Sequence, residues 1–281
     1  MIDLHTHSTA SDGTDPPAAV VALAAEAGVS ALALTDHDTL EGLPEAIAAG
    51  EAASVRVVPG CELSLEVEQG TLHLLVLFLE GDDGPLQSRL GALRAGRDDR
   101  NLRIVDALVA EGLDVSIDEV LEAAGGGSVG RPHVAAVLME KGYVTSIQDA
   151  FDRWLAKGRP GYVERDRLHP DEAIELAHAS GAVAVAAHPF SVVDDADALD
   201  RFIAELAALG LDGIEVEYGR YDADQRAELA RVAARHGLAP SGGSDYHGAY
   251  KPGLAVGTGL GDLNVPDAWL DDLEARRPAR P

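Results

Sequence analysis

The 281-residue sequence predicts an α/β barrel that carries a helical insertion. Three observations point there. Short apolar runs alternate with amphipathic helical stretches in the first and last thirds of the chain. Between Leu79 and Ala182 lie about 100 residues with helical patterns and no convincing strand, far more than one connection needs. Five motifs rich in His, Asp and Glu fall almost entirely just after apolar runs, which is where the mouth of such a barrel lies.

The apolar runs are residues 2–5, 31–35, 55–59, 72–79, 182–187, 213–217 and 239–243. They are short and near-continuous, as strands covered on both faces should be. Helical patterns occupy 16–27, 43–53, 170–180, 196–209 and 223–236. Pro17 falls in the first turn of its helix and Gly28 follows its end, while Gly181, Gly210 and Gly237 stop later helices in the same way. Seven strands with helical crossovers favour a barrel over an open sheet. Glu66-Val67-Glu68-Gln69-Gly70 has the composition of a hairpin tip, so the strands on either side of it should run antiparallel. Helical patterns at 86–111, 117–124, 132–141 and 147–156 fill the long gap, punctuated by Gly125-Gly126-Gly127 and Gly158-Arg159-Pro160-Gly161. The expected organisation is thus a barrel domain of residues 1–84 and 166–281, capped by a helical insertion of residues 85–165. The Pro/Arg-rich end from Ala275 to Pro281 is expected to fray.

An apolar fraction of 46% supports a real core, but aromatics make up only 4%, so Ala, Val and Leu must do most of the packing. A net charge of −26 disfavours a large duplex nucleic-acid surface or an anionic membrane, and it repels an anionic substrate unless bound cations reverse the sign locally. Lysine is almost absent, with Lys141, Lys157 and Lys251 alone. Cys61 is the single cysteine and the N-terminus has no secretory pattern, so a reducing cytoplasm is the expected compartment and no membrane partner is expected.

The five motifs are His5-Thr6-His7 with Asp12, Asp36-His37, Glu62 with His73, His188, and Asp245-Tyr246-His247. His5 and His7 are two apart on a strand and so project to one face. Asp12 follows in a Ser-Asp-Gly turn. Asp36 and His37 come directly after the second strand, where Asp38 or Thr39 is expected to cap the next helix. Glu62 lies just past the third strand, and its two carboxylate oxygens suit it to bridging two ions. His73 opens a strand rather than ending one, which makes it the outlier by position. His188, Asp245 and His247 end later strands. Ten such side chains exceed what one ion can use, which predicts a polynuclear site of the kind that hydrolyses phosphate esters or carbonyl compounds. Mixed nitrogen and oxygen donors suit two to three divalent ions, Mn²⁺, Fe²⁺ or Zn²⁺, and the lack of thiolates argues against a closed structural zinc.

His5-Thr6-His7-Ser8, Thr35-Asp36-His37-Asp38, Ala187-His188-Pro189 and Ser244-Asp245-Tyr246-His247 resemble the four motifs of the PHP (polymerase and histidinol phosphatase) family, and Glu62 and His73 match its further ligands. The resemblance spans essentially the whole chain. It implies a distorted (β/α)7 barrel and a trinuclear site. His5, His7, Glu62 and Asp245 would hold one ion. Glu62, His73 and His188 would hold a second, and Asp12, His37 and His247 a third, with Asp36 near the site. It also implies phosphoester hydrolysis by water activated between the ions.

The insertion motif Gly130-Arg131-Pro132-His133 resembles that of stand-alone members acting on nucleoside phosphates, including nucleoside 3′,5′-bisphosphates and the 5′ ends of short RNA. Arg131 is expected to contact phosphate, because guanidinium matches it bidentately. His133 is expected to assist or to protonate the leaving group. Three other readings stay open at this point: a histidinol-phosphate-type phosphatase, a binuclear amidohydrolase, and a catalytically idle PHP module. The usual carboxylated barrel lysine of the amidohydrolases has no counterpart, since no lysine falls in a predicted strand.

Overall fold

The computed structural model describes residues 1–67, 72–79, 84–124, 129–164 and 167–279. Residues 68–70 of the expected hairpin tip Glu66-Val67-Glu68-Gln69-Gly70, the Gly125-Gly126-Gly127 break and the last two residues lie outside these.

Seven strands form one sheet in sequence order: β1 (Ile2–Thr6), β2 (Ala31–Leu34), β3 (Arg56–Leu65), β4 (Leu72–Leu77), β5 (Val183–Ala187), β6 (Gly213–Tyr218) and β7 (Ala239–Gly243). Neighbours pair in parallel, except that β4 runs antiparallel to both β3 and β5. The expected antiparallel pair is therefore present. The sheet nearly closes on itself. The Asp245 amide donates to the His5 carbonyl at 2.8 Å, and the His7 amide donates to the Tyr246 carbonyl at 2.9 Å. Asp3 reinforces this seam from a fully buried position in β1, accepting from the amides of Ser244 (2.9 Å) and Gly257 (2.7 Å). Burial pushes its carboxyl above the ordinary range.

The continuous apolar character of the strands has a packing cause. Alternate side chains of a strand point to opposite faces. In β2, Ala31 and Ala33 join a cluster with Leu4, Val58, Leu75 and Val185. Leu32 and Leu34 join a second cluster with Val20, Val21 and Ala24 of α1 (Pro17–Glu26) and Ala46 of α2 (Leu43–Ala53). Both faces are covered, so neither can be polar.

The chain divides into two compact units, residues 1–90 with 167–281, and residues 91–166. Helix α3 (Pro85–Ala110) runs from the first into the second. The second unit has its own core, in which Ile104 and Leu108 of α3 meet Val120 of α4 (Ile117–Ala123), Val134 and Leu138 of α5 (Arg131–Glu140), and Leu155. Ser116 and Glu119 form a reciprocal capping box at the start of α4. The single helix expected over 147–156 is instead a short α6 (Ile147–Ala150) continued by a π-helical turn, Phe151–Leu155, closed by the Ala156 amide on the Phe151 carbonyl at 2.9 Å. No sequence signal accounts for that switch.

In the first unit, α7 (Pro170–Ala179), α8 (Ala196–Ala208) and α9 (Ala223–His236) follow the expected spans closely. A further helix, α10 (Asp267–Ala275), occupies a stretch where no element was expected. Pro266 precedes it, Asp267 supplies an acid to its first turn, and Leu270 and Leu273 bury three residues apart, a signal too short to read as periodicity. No helix among the described residues is long and apolar enough to cross a membrane.

Candidate metal centre

The end of the sheet where the parallel strands finish carries the predicted ligands. His5 lies in β1 and His7 follows it directly. Glu62 lies within β3, which is longer than the sequence suggested. His73 is the second residue of β4, paired with Ser64 on one side and Ala187 on the other. Because β4 runs antiparallel, its beginning lies where its parallel neighbours end. The position that made His73 an outlier in the sequence is what brings it to the site.

His188 and Asp245 follow β5 and β7 with backbones in the left-handed region, φ 27° and 54°. A non-glycine residue held there costs free energy on the order of 1–3 kcal/mol, a feature that clusters at functional sites. Gly243 explains the tightness of the seam beside them, since a Cβ there would lie 2.4 Å from the His5 Cβ and 2.5 Å from its backbone nitrogen.

Glu62 is the hub. Its Oε1 lies 2.8 Å from His73 Nδ1 and 2.9 Å from His188 Nε2. Its Oε2 lies 3.2 Å from His5 Nε2, 3.1 Å from His7 Nε2 and 3.3 Å from His37 Nδ1. The Oδ1 atom of Asp245 faces His5, His7 and His247 at 3.5, 3.4 and 3.3 Å. Asp12, half-exposed on its loop, reaches His247 Nε2 at 3.3 Å and His37 Nε2 at 3.7 Å.

The structure thus brings together all nine residues that the resemblance implied as ligands. They form four overlapping groups whose donor atoms lie within 4.8 Å of one another: His7, Asp12, His37 and His247; His5, His7 and Asp245; His5, Glu62 and His188; His37, Glu62 and His73. The groupings overlap more than the implied three-way division, because His7 also joins the Asp12 group and His37 also joins Glu62 and His73.

The donor set fits divalent ions. Glu62 Oε2, Asp245 Oδ1, His7 Nδ1 and His37 Nδ1 are buried without a hydrogen-bond partner among the described residues. Buried polar atoms are nearly always satisfied, so four such atoms converging on one region suit a cluster that holds metal ions. The rings are also held from behind. His5 Nδ1 donates to Glu215 Oε1 at 3.0 Å, His247 Nδ1 to the Asp245 carbonyl at 2.9 Å, and His188 Nδ1 meets Ser191 Oγ at 3.0 Å, so each ring turns Nε2 toward the centre.

The electrostatics agree. Burial alone would lower His5, but the Glu215, Glu62 and Asp245 charges raise its imidazole well above the usual range. For His7, burial is overcome by Asp245 and Glu62, which bring it up to about 9. His37 goes the other way, pushed by burial down to about 4. Burial opposes ionisation of Glu62 and Asp245, yet the surrounding imidazoles hold both well below the ordinary carboxylate range. The acids are therefore anionic, and positive charge is drawn into the cluster.

Asp36 is not among the grouped donors. It accepts from the Ser8 amide (2.8 Å), Ser8 Oγ (2.7 Å) and Ser11 Oγ (2.7 Å), and so fixes the loop that carries Asp12. Neither Asp38 nor Thr39 caps α2; Gly42 stands at that position, and Asp38 Oδ1 instead accepts from the Ser64 amide at 3.0 Å. The tight left-handed turn at Asp38, φ 52°, aims its side chain at β3 rather than at the helix.

Arg131 and His133 belong to the second unit. Arg131 opens α5, donates to the Leu155 carbonyl at 3.1 Å and lies over the Phe151 and Tyr162 rings at 5.5 and 5.7 Å. His133 Nδ1 accepts from the Gly130 amide at 3.1 Å. Burial lowers its pKa.

Glu215, Tyr218 and Lys251 also meet the cluster, and none of them was expected there from the sequence. Glu215 is fully buried in β6, with Oε1 on His5 and Oε2 accepting the His188 amide at 2.7 Å. A glutamate inside the apolar run Gly213-Ile214-Glu215-Val216 was the available signal, since a buried carboxylate demands partners. Tyr218 donates to Asp245 Oδ2 at 2.7 Å, and Lys251 forms a short ion pair with the same oxygen. Beside the cluster opens a cavity of about 510 Å³, lined by Glu62, His73, Phe190, Arg220, Tyr221 and Lys251 among others.

Comparison with known proteins agrees with this geometry. The PHP domain family matches residues 3–164. A 3′,5′-nucleoside bisphosphate phosphatase of Chromobacterium violaceum is 34% identical over 91% of this chain and 90% of its own length. A 5′-3′ exoribonuclease of Haemophilus influenzae is 35% identical over 87% of this chain and 89% of its own. The crystal structure of a protein from Bifidobacterium adolescentis, assigned as a metal-dependent phosphoesterase, superposes with a TM-score of 0.77 at 29% identity, covering 99% of this chain and 96% of that one. A barrel mouth lined with imidazoles and carboxylates around one shared glutamate, in a chain matched this fully, belongs to the PHP family of metal-dependent phosphoesterases, hydrolases of phosphate esters.

Proposed function

We propose that this chain releases phosphate from nucleotides, with nucleoside 3′,5′-bisphosphates and nucleoside monophosphates as the principal class and 5′ ends of short RNA as a further one. The observation that carries the reading is Glu62, whose two oxygens face different sets of imidazoles beside a cavity of about 510 Å³. That volume suits a nucleotide-sized ligand. The activities named for the Chromobacterium and Haemophilus relatives support the substrate class.

In this reading His5, His7, Glu62 and Asp245 hold one divalent ion, Glu62, His73 and His188 a second, and Asp12, His37 and His247 a third. Bound ions of this kind activate water and neutralise charge on phosphate. Mn²⁺, Fe²⁺ and Zn²⁺ all suit the mixed imidazole and carboxylate donors. Glu62 would offer one oxygen to the His73 and His188 side and the other to the His5 and His7 side. Glu215 holds His5 in the tautomer that offers Nε2. Tyr218 and Lys251 occupy Asp245 Oδ2, so that Oδ1 remains available for coordination.

Arg131 and His133 are the proposed phosphate contacts outside the ligand set. The carbonyl and the two rings around Arg131 pre-set its guanidinium. The Gly130 amide on His133 Nδ1 leaves its Nε2 as a hydrogen-bond donor. Cytoplasmic action agrees with the single, buried Cys61.

A metal-supplemented panel of nucleoside monophosphates, nucleoside 3′,5′-bisphosphates, short 5′-phosphorylated RNA and histidinol phosphate tests the proposal. Phosphate or nucleotide release from the nucleotide members is expected. Release from histidinol phosphate alone would overturn it, and unchanged nucleotide kinetics in Arg131→Ala would remove Arg131 from the site.

A further inference from the structure

The cavity beside the proposed metal centre is lined by two chemically different sets of residues. One is formed by Glu62, His73, His188 and Asp245. The other is formed by the segment after β6 and the turn after β5, where Phe190, Arg220, Tyr221 and Gln225 contribute. Arg220 follows Tyr218-Gly219 in an exposed turn. Its guanidinium engages no carboxylate and no carbonyl among the described residues. Arg56, Arg226, Arg235 and Arg276 of the same unit each pair with an acid, at 2.8, 3.2, 2.5 and 3.2 Å. Lys251, the other cation lining the cavity, is committed to Asp245.

The backbone that presents Arg220 is well fixed. Gly219 donates to the Gly243 carbonyl at 3.1 Å, and a Cβ at Gly219 would lie 2.5 Å from the Ser244 carbonyl oxygen. Tyr221 is anchored by the Phe190 amide, which donates to its hydroxyl at 3.0 Å, and its ring meets Phe190 edge-on at 5.3 Å. An uncommitted guanidinium on a rigid turn, lining the same cavity as the clustered imidazoles and carboxylates, is a ready anion contact.

We propose that Arg220 binds a second anionic group on the substrate, the phosphate that is not cleaved, and thereby sets a preference for bisphosphorylated over monophosphorylated nucleosides. This rests on the nucleotide reading above for its substrate class. It does not rest on turnover, because a second phosphate would be recognised whether or not the first is released.

The test is therefore an equilibrium one. Two probes are titrated calorimetrically into Mn²⁺-loaded protein. One is an adenosine 3′,5′-bisphosphate analogue in which methylene groups replace the ester oxygens, and the other is the matching 5′-monophosphonate. The wild type is expected to bind the bisphosphonate roughly 10- to 100-fold more tightly, the range for a charge-assisted hydrogen-bonded pair. In Arg220→Ala that ratio should fall to within about threefold of unity, and Arg220→Lys, a point charge without the planar fork, should retain part of it. A wild-type ratio near one, or a ratio that survives in Arg220→Ala, overturns the assignment. If the expected ratios appear but the native bisphosphate is not hydrolysed, the second-anion site stands and the proposed reaction falls.

Discussion

At the residue scale, the centre depends on side chains that hold the ligands as much as on the ligands. Glu215 supports two of them at once, through His5 Nδ1 and the His188 amide. Removing such a partner usually weakens metal binding about 10- to 100-fold. Glu215→Ala should therefore bind Mn²⁺ that much more weakly while keeping a cooperative melt, and Glu215→Gln, which can still accept from His5, should lose less. Unchanged affinity in Glu215→Ala would show that His5 is oriented by something else.

Protons compete with the ions at the same atoms. In the metal-free protein His7 is held protonated up to about 9 by Asp245 and Glu62, against the opposing effect of burial. An ion needs the neutral ring, so binding at neutral pH must expel that proton. Apparent metal affinity should rise as the pH climbs toward about 9, by roughly tenfold per unit for each proton displaced. Titrations in buffers of different ionisation heat would measure the protons released; none released at pH 7 would contradict this account of His7.

At the scale of elements, the site is a consequence of how β1 meets β7. Gly243 lets the two approach so closely that His5 and Asp245 come within reach of one another's donor atoms. Gly243→Ala forces a methyl group against the His5 backbone and Asp3 Oδ1, at 2.5 and 2.9 Å. Overpacking against rigid neighbours costs about 1–3 kcal/mol or more. The variant should melt at lower denaturant and bind metal more weakly, both together. A loss of stability with unchanged metal affinity would mean that the seam does not position the ligands.

The strands were legible because burial on both faces forces a continuous apolar run, and the mouth was legible because polar clusters follow those runs. What could not be read had physical reasons. The merit of His73 depends on the direction of β4, which Glu66-Val67 and the following residues only suggested. The role of Glu215 depends on partners far away in sequence, at His5 and His188. Helix α10 is too short for its two buried leucines to mark a period. The capping role expected of Asp38 or Thr39 was displaced by a left-handed turn at Asp38 that contacts with Ser64 and Glu62 help to hold.

At the scale of the whole molecule, a chain of net charge −26 that hydrolyses phosphate esters must bring its own cations. The concentration of imidazole at one sheet end, around the shared carboxylate of Glu62, suits that need, and in the proposed function Glu62 would join the ions into one working centre. The most direct check combines elemental analysis with phosphate release from adenosine 3′,5′-bisphosphate, for the wild type and Glu62→Gln. Two or three divalent ions per wild-type chain are expected, with release that chelator abolishes and Mn²⁺ restores, and at least one ion fewer with release reduced more than about 100-fold in Glu62→Gln. A wild type that holds a single ion, or release that persists in the chelated protein or in Glu62→Gln, would contradict it.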